Sequence, residues 1–111
     1  MSKSKQGKNN RRKGHQWERD LANELKKIGF PEACRHLEYQ THQARGYDLE
    51  GASPFKIQCK NSKTVPNFET VFEEIDAEEF EFKVLAYKKP NKGKYAIMPM
   101  DDFLRLLEDL L

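Results

Sequence analysis

Gly46-Tyr47-Asp48-Leu49-Glu50-Gly51-Ala52-Ser53-Pro54-Phe55-Lys56-Ile57-Gln58-Cys59-Lys60-Asn61 joins two extended segments across a break. Tyr47 to Leu49 starts a strand, Gly51 to Pro54 interrupts it as a hairpin requires, and Phe55 to Lys60 is its antiparallel partner. In the second segment Phe55, Ile57 and Cys59 point one way and Lys56, Gln58 and Lys60 the other. One face is expected in the core. The other is a line of polar groups leading to Lys60.

Towards the N-terminus, Trp17, Leu21, Leu25 and Ile28 repeat with helical spacing, which predicts a helix from about Gly14 with Gly29 as its stop. Glu18 lies at the border of that apolar stripe. Residues 33–40 read as a first strand, and Thr41 to Gly46 as a polar loop. Towards the C-terminus, Asn67 is a suitable N-cap for a helix over 67–77, with Phe68, Val71, Phe72 and Ile75 as its apolar stripe. Phe80 to Tyr87 alternates as a strand, Pro90 to Gly93 turns the chain, and Lys94 to Met98 is a further strand. A terminal helix opens at Met100 or Asp101. Its apolar face, from Phe103 to Leu111, is wider than one packing surface needs. The order α-β-β-β-α-β-β-α makes this an α/β chain with a mixed central sheet of about five strands flanked by helices.

At 111 residues the chain is one domain, with a core over 13–111 and a basic, flexible arm over 1–12 that has no apolar residue after Met1. The net charge of +2 conceals a segregation. Lys3 to Arg19 holds Lys3, Lys5, Lys8, Arg11, Arg12, Lys13 and Arg19 against Glu18 alone, whereas Asn67 to Phe82 has seven acids and no base. Such segregation gives a polyanion one surface to approach and another to avoid. Cys34 and Cys59 have no metal-binding spacing and Cys59 falls in a core strand, so a reducing, cytoplasmic setting is expected. No apolar run reaches the ~20 residues of a membrane helix, and the N-terminus lacks the apolar segment of a secretion signal.

Asp48, Gln58 and Lys60 carry the chemistry. A hard divalent cation takes carboxylates, carbonyls and water. Asp48 offers a carboxylate, Gln58 an amide oxygen, and Cys59 a backbone carbonyl between Gln58 and Lys60. The Lys60 ammonium can orient water and offset phosphate charge. Glu18 is the remaining carboxylate, and Glu50 ranks second to Gln58 as a ligand. Taken alone, Asp48 also reads as a turn residue, Gln58 and Lys60 as a solvated strand face, and Glu18 as an ordinary surface glutamate. His15 and His36 read as surface or capping residues, and Trp17 as core.

Three segments together resemble the PD-(D/E)XK nuclease superfamily and, within it, the archaeal-type (Hjc-like) Holliday junction resolvases and their phage relatives. They are Arg12 to Leu21 with Leu25 and Gly29-Phe30, then Gly46-Tyr47-Asp48-Leu49, then Ile57-Gln58-Cys59-Lys60. The likeness covers roughly residues 12–62, and beyond that only the order of elements. It implies a restriction-endonuclease-like fold and a Mg²⁺-dependent endodeoxyribonuclease, with Mn²⁺ able to substitute, that hydrolyses phosphodiesters at four-way junctions. It implies Glu18, Asp48 and Gln58 around the metal, Lys60 catalytic, and a homodimer cutting opposed strands. Gln58 stands where resolvases have Glu. Thr41 is the hydroxyl nearest the position of a catalytic Ser in that family's loop. Arg11, Arg12, Lys13, Arg45 and Lys63 are expected on phosphates, with Thr41 and His42 as further DNA contacts. Two alternatives stand beside this one: an Mrr-like restriction or repair endonuclease on duplex DNA, as Gln58 suggests, and a non-catalytic DNA-binding protein of the same fold.

Overall fold

The computed structural model describes residues 3–37 and 45–111, with side chains from Arg11 onward. Helix α1 spans Lys3–Ile28. It begins at Lys3, well before the expected start near Gly14, so the basic segment expected as a flexible arm over 1–12 is helical from Lys3. The segment holds three Lys, two Arg and one Gln, all good helix formers, and contains no Pro. The apolar repeat marked only where the helix meets the sheet, not where the backbone becomes helical. Gly29, with φ of 130°, ends the helix as expected.

Five strands follow: β1 (Cys34–Arg35), β2 (Leu49–Glu50), β3 (Phe55–Asn61), β4 (Phe82–Lys89) and β5 (Gly93–Ile97). Helix α2 (Phe68–Glu74) connects β3 to β4, and helix α3 (Met100–Leu110) follows β5. The sheet order is β1-β2-β3-β4-β5, with β3 and β4 parallel and the other neighbours antiparallel. The chain is therefore α/β with a five-stranded mixed sheet and three helices, in the expected element order. β1 and β2 are shorter than the expected segments. Residues 38–44, including Thr41 and His42, lie outside the described residues.

Both sheet faces are covered. On one, Trp17 of α1 packs with Leu49, Ile57, Cys59, Val84 and Ala86. Its indole Nε1–H donates to the Ala86 carbonyl at 3.0 Å, so burying the ring leaves no orphan donor. On the other, Val71 and Ile75 pack with Leu85 and Tyr87. The central parallel pair is thus buried on both sides, and β4 carries four consecutive buried residues, Val84 to Tyr87. The polar face expected on β3 is accordingly not solvated throughout: Gln58 is only 8% exposed, beside its β4 partner Leu85.

Asn67 caps α2 as expected, its Oδ1 accepting the Thr70 N–H at 3.2 Å. Phe80, expected to open the fourth strand, is exposed, and the strand starts at Phe82. The Glu81 N–H donates to the Glu78 carbonyl, and Glu81 Oε1 accepts the Glu78 N–H. That turn holds Phe80 outside the sheet. Ile28, expected in the apolar stripe of α1, is also exposed. α3 attaches by polar contacts: Asp102 accepts the Lys83 N–H, and Arg105 donates to the carbonyls of Glu79 and Glu81. Phe103, Leu104, Leu107 and Leu110 stay exposed. No described helix is long and apolar enough to cross a membrane.

Candidate active site

The loop that carries Asp48 is tied down on both sides. Before it, the Asp76 N–H donates to the Arg45 carbonyl at 2.8 Å, and the Arg45 guanidinium returns to the Asp76 carboxylate at 2.7 Å. Gly46 adopts φ of 75°, and a Cβ there would run into the Glu74 carbonyl, so only glycine passes. After it, the Asp48 N–H donates to the Ile57 carbonyl and the Asp48 carbonyl accepts the His36 N–H, both at 2.8 Å. Asp48 is therefore held between β1 and β3.

Its carboxylate does something the backbone ladder does not. Asp48 Oδ2 accepts the Cys59 N–H at 2.7 Å. β2 begins at Leu49, opposite Ile57, so at Cys59 the partner strand has ended and an aspartate side chain takes its place. In a strand the N–H and C=O of one residue leave on the same edge. The Cys59 carbonyl thus turns to the side of β3 that faces Asp48, as the expected ligand set requires.

Glu18 enters from α1. Its Oε2 accepts from Arg35 Nε at 2.9 Å, with 14% and 21% of the respective side chains exposed. Arg35 is on β1 opposite Leu49, the residue after Asp48, so the ion pair fastens α1 to the same corner of the sheet. Burial pushes the Cys59 thiol above the ordinary thiol range, and the charges of Asp48 and then Glu18 push it the same way. Both carboxylates therefore raise negative potential at one point on β3.

Gln58 and Lys60 sit differently. Alternation along β3 sends both to the face opposite Cys59, beside their β4 partners Leu85 and Tyr87. Gln58 is buried, and among the described residues its Oε1 has no hydrogen-bond partner. Lys60 is exposed. The structure thus joins Asp48 to the Cys59 backbone directly, brings Glu18 to the same corner through Arg35, and places Gln58 and Lys60 across the thickness of the same strand. Glu50, the second-ranked ligand, is engaged by His36, whose Nδ1 lies 2.6 Å from Glu50 Oε1. His36 is buried, with its ring 5.0 Å from that of Tyr47, and is not the surface residue expected.

Of the expected phosphate contacts, Arg11, Arg12, Lys13 and Lys63 are exposed, while the Arg45 guanidinium is taken by Asp76. Arg35, which lay in a segment read only as a strand, was missed. His15 is exposed, as expected of a surface residue, and lies within the field of Arg35 and Asp48; desolvation and then Arg35, Arg19 and Arg11 hold its imidazole below the ordinary histidine range.

Among the described residues, no group of three His, Cys, Asp or Glu side chains is arranged to hold a metal. The expected donor set is two carboxylates, one amide oxygen and one backbone carbonyl, an all-oxygen set of the kind hard divalent cations take. Gln58 Oε1, buried and orphaned among the described residues, is a polar atom that a ligand could satisfy. No family model, curated protein or solved structure matches the chain.

Proposed function

We propose that the chain is a divalent-metal-dependent DNA endonuclease with a restriction-endonuclease-like core, acting on four-way junctions. The observation that carries this reading is the Asp48 carboxylate set against the β3 backbone at Cys59, between Gln58 and Lys60. The α-β-β-β-α-β order with β3 and β4 parallel supports the fold assignment. Magnesium held by Asp48, Glu18, Gln58 Oε1 and the Cys59 carbonyl, with manganese as a substitute, would neutralise phosphate charge and acidify a bound water. Asp48 fixes the site against β3, Arg35 pairs with Glu18 at its edge, and Lys60 supplies a mobile positive charge beside the phosphate. The basic turns of α1, with Arg11, Arg12 and Lys13, bind the DNA backbone.

Opposed cuts in a junction need two sites, so the reading carries a homodimer with it. The exposed Phe103, Leu104, Leu107 and Leu110 on α3 are the surface offered to a second copy.

One specific observation favours a second reading. The Glu18 carboxylate is already neutralised by Arg35, and Gln58 brings no charge, which suits a DNA-binding protein without efficient metal binding. A single assay separates the readings: labelled four-way junction and linear duplex are incubated with Mg²⁺ or Mn²⁺, alongside Asp48→Asn and Lys60→Ala. Junction-restricted cleavage, lost in both variants, is the expected result. Equal cutting of both substrates points to a duplex nuclease. Binding without cleavage in either metal establishes the second reading.

A further inference from the structure

β3, β4 and β5 bring three polar side chains together at one end of the sheet. The register sets Asn61 beside Lys88, and Lys88 beside Lys94. Paired residues on neighbouring strands share a face and stand ~4.7–4.9 Å apart. The shared face is the one α1 covers: the Trp17 ring centroid lies 6.0 Å from Lys88 Nζ and 5.5 Å from Lys94 Nζ. Trp17 is 5% exposed, so its ring orients the two ammonium groups and is closed to base stacking. At the near end of the row, Asn61 Nδ2 donates to the Lys13 carbonyl at 3.4 Å, which fixes a basic turn of α1 there. Among the described residues, neither Lys88 nor Lys94 lies within ion-pair distance of a carboxylate. The acids Glu69, Glu73 and Glu74 are carried by α2, on the opposite face of the sheet.

We propose that Lys13, Lys88 and Lys94, aligned by Asn61, form a track for the phosphates of a nucleic-acid duplex arm, leading from the end of β3 across the sheet to β5. The inference rests on the DNA reading above and names a surface that reading did not include. The row starts at Asn61, two residues along β3 from Cys59 and on the same face, so a strand whose phosphate lies at Asp48 has its continuation directed along it. Unpaired ammonium groups held side by side on a rigid sheet suit repeated phosphates, not a single anion. The contacts go to the backbone, so the track adds affinity and orientation without sequence preference.

The test is a salt titration of binding to a duplex and to a four-way junction, without divalent ion, using the intact chain. Each phosphate contact contributes about −0.9 to the slope of log affinity against log salt. Lys88→Gln with Lys94→Gln is expected to flatten the wild-type slope by about 1.8 on that basis, while Lys88→Arg with Lys94→Arg preserves it. Lys92→Gln, in the β4–β5 turn, leaves the slope unchanged. If the double glutamine variant does not fold by circular dichroism, each single variant must flatten the slope by about half as much. Wild-type binding with an unchanged slope in the glutamine variants overturns the track alone. Wild-type protein that binds neither DNA overturns the DNA reading and the track with it.

Discussion

Arg35 Nε donates to Glu18 Oε2 at 2.9 Å, and this one contact ties the first helix to the first strand at the corner where Asp48 meets β3. The pair is largely shielded, so removing one partner strands the other and costs more than breaking a solvated surface ion pair. It also places a guanidinium on a carboxylate that a bound cation would share.

The two roles separate on mutation. Arg35→Gln is expected to lower stability by about 1–3 kcal/mol, the usual cost of an unmet partly buried group, read from urea unfolding. The same variant is expected to bind Mn²⁺ more tightly than wild type by calorimetry, because Glu18 is released from its counter-ion. Weaker Mn²⁺ binding in a folded Arg35→Gln variant would show that Arg35 holds Glu18 in place and does not compete for it.

How far the sequence carried depends on whether a signal was local. Gly29 as a helix stop, Asn67 as a cap and the order of all eight elements were legible because each rests on neighbours within a turn or a strand. Alternation gave Phe82 and Val84 the correct common face but could not tell that the Glu78–Glu81 turn expels Phe80. It also shows which residues share a face, never whether a helix covers that face. For this reason Gln58 read as solvated and is buried, beside Leu85, on the face that α2 covers. In the site, Asp48 against β3 followed from the hairpin. The pairs Glu18–Arg35 and Glu50–His36 did not, since 17 and 14 residues separate their partners and only the tertiary fold brings them together.

Asp48 anchors β3 and is the proposed metal ligand, and its two substitutions divide those functions. Asp48→Asn keeps an oxygen for the Cys59 N–H and loses the charge. The expected result is a melting temperature close to wild type with no stabilisation by added Mg²⁺. Asp48→Ala leaves the N–H unmet and is expected to cost about 1–3 kcal/mol. Equal loss of stability in the two variants would contradict the assigned hydrogen bond.

His15 is placed to report a phosphate bound among its neighbouring arginines. In the free protein, desolvation and the fields of Arg35, Arg19 and Arg11 hold its pKa below the ordinary histidine value of 6.5, with Asp48 opposing them. The unfolded chain then binds more protons than the folded one, so this histidine weakens folding as pH falls below about 6.5 and is neutral to it above. A phosphate among those arginines offsets their field and raises the pKa. Binding therefore takes up a proton, and DNA affinity is expected to increase as pH falls through the interval between the free and bound values. Following the His15 ring proton by NMR with and without a DNA duplex measures both midpoints; coincident midpoints would place the phosphate elsewhere.

Gln58 gives the sharpest separation between a structural and a ligand role. Its Oε1 is buried and unpartnered, a state that costs free energy in the absence of a ligand. Gln58→Leu removes that oxygen from a site lined by Leu85 and its neighbours, so the metal-free protein is expected to be as stable as wild type or more so, while Mg²⁺ stabilisation weakens. Gln58→Glu does the reverse. A carboxylate at a position 8% exposed is costly near neutral pH without a cation, so the metal-free variant unfolds more readily there and recovers as pH falls and the carboxyl is protonated. Added Mg²⁺ should restore it at neutral pH and raise any cleavage rate. Thermal melts of both variants at two pH values, with Mg²⁺ and with EDTA, read all four states. A Gln58→Glu protein whose melting is indifferent to Mg²⁺ would mean that this oxygen faces the α2 core alone, leaving Asp48, Glu18 and the Cys59 carbonyl as the entire donor set.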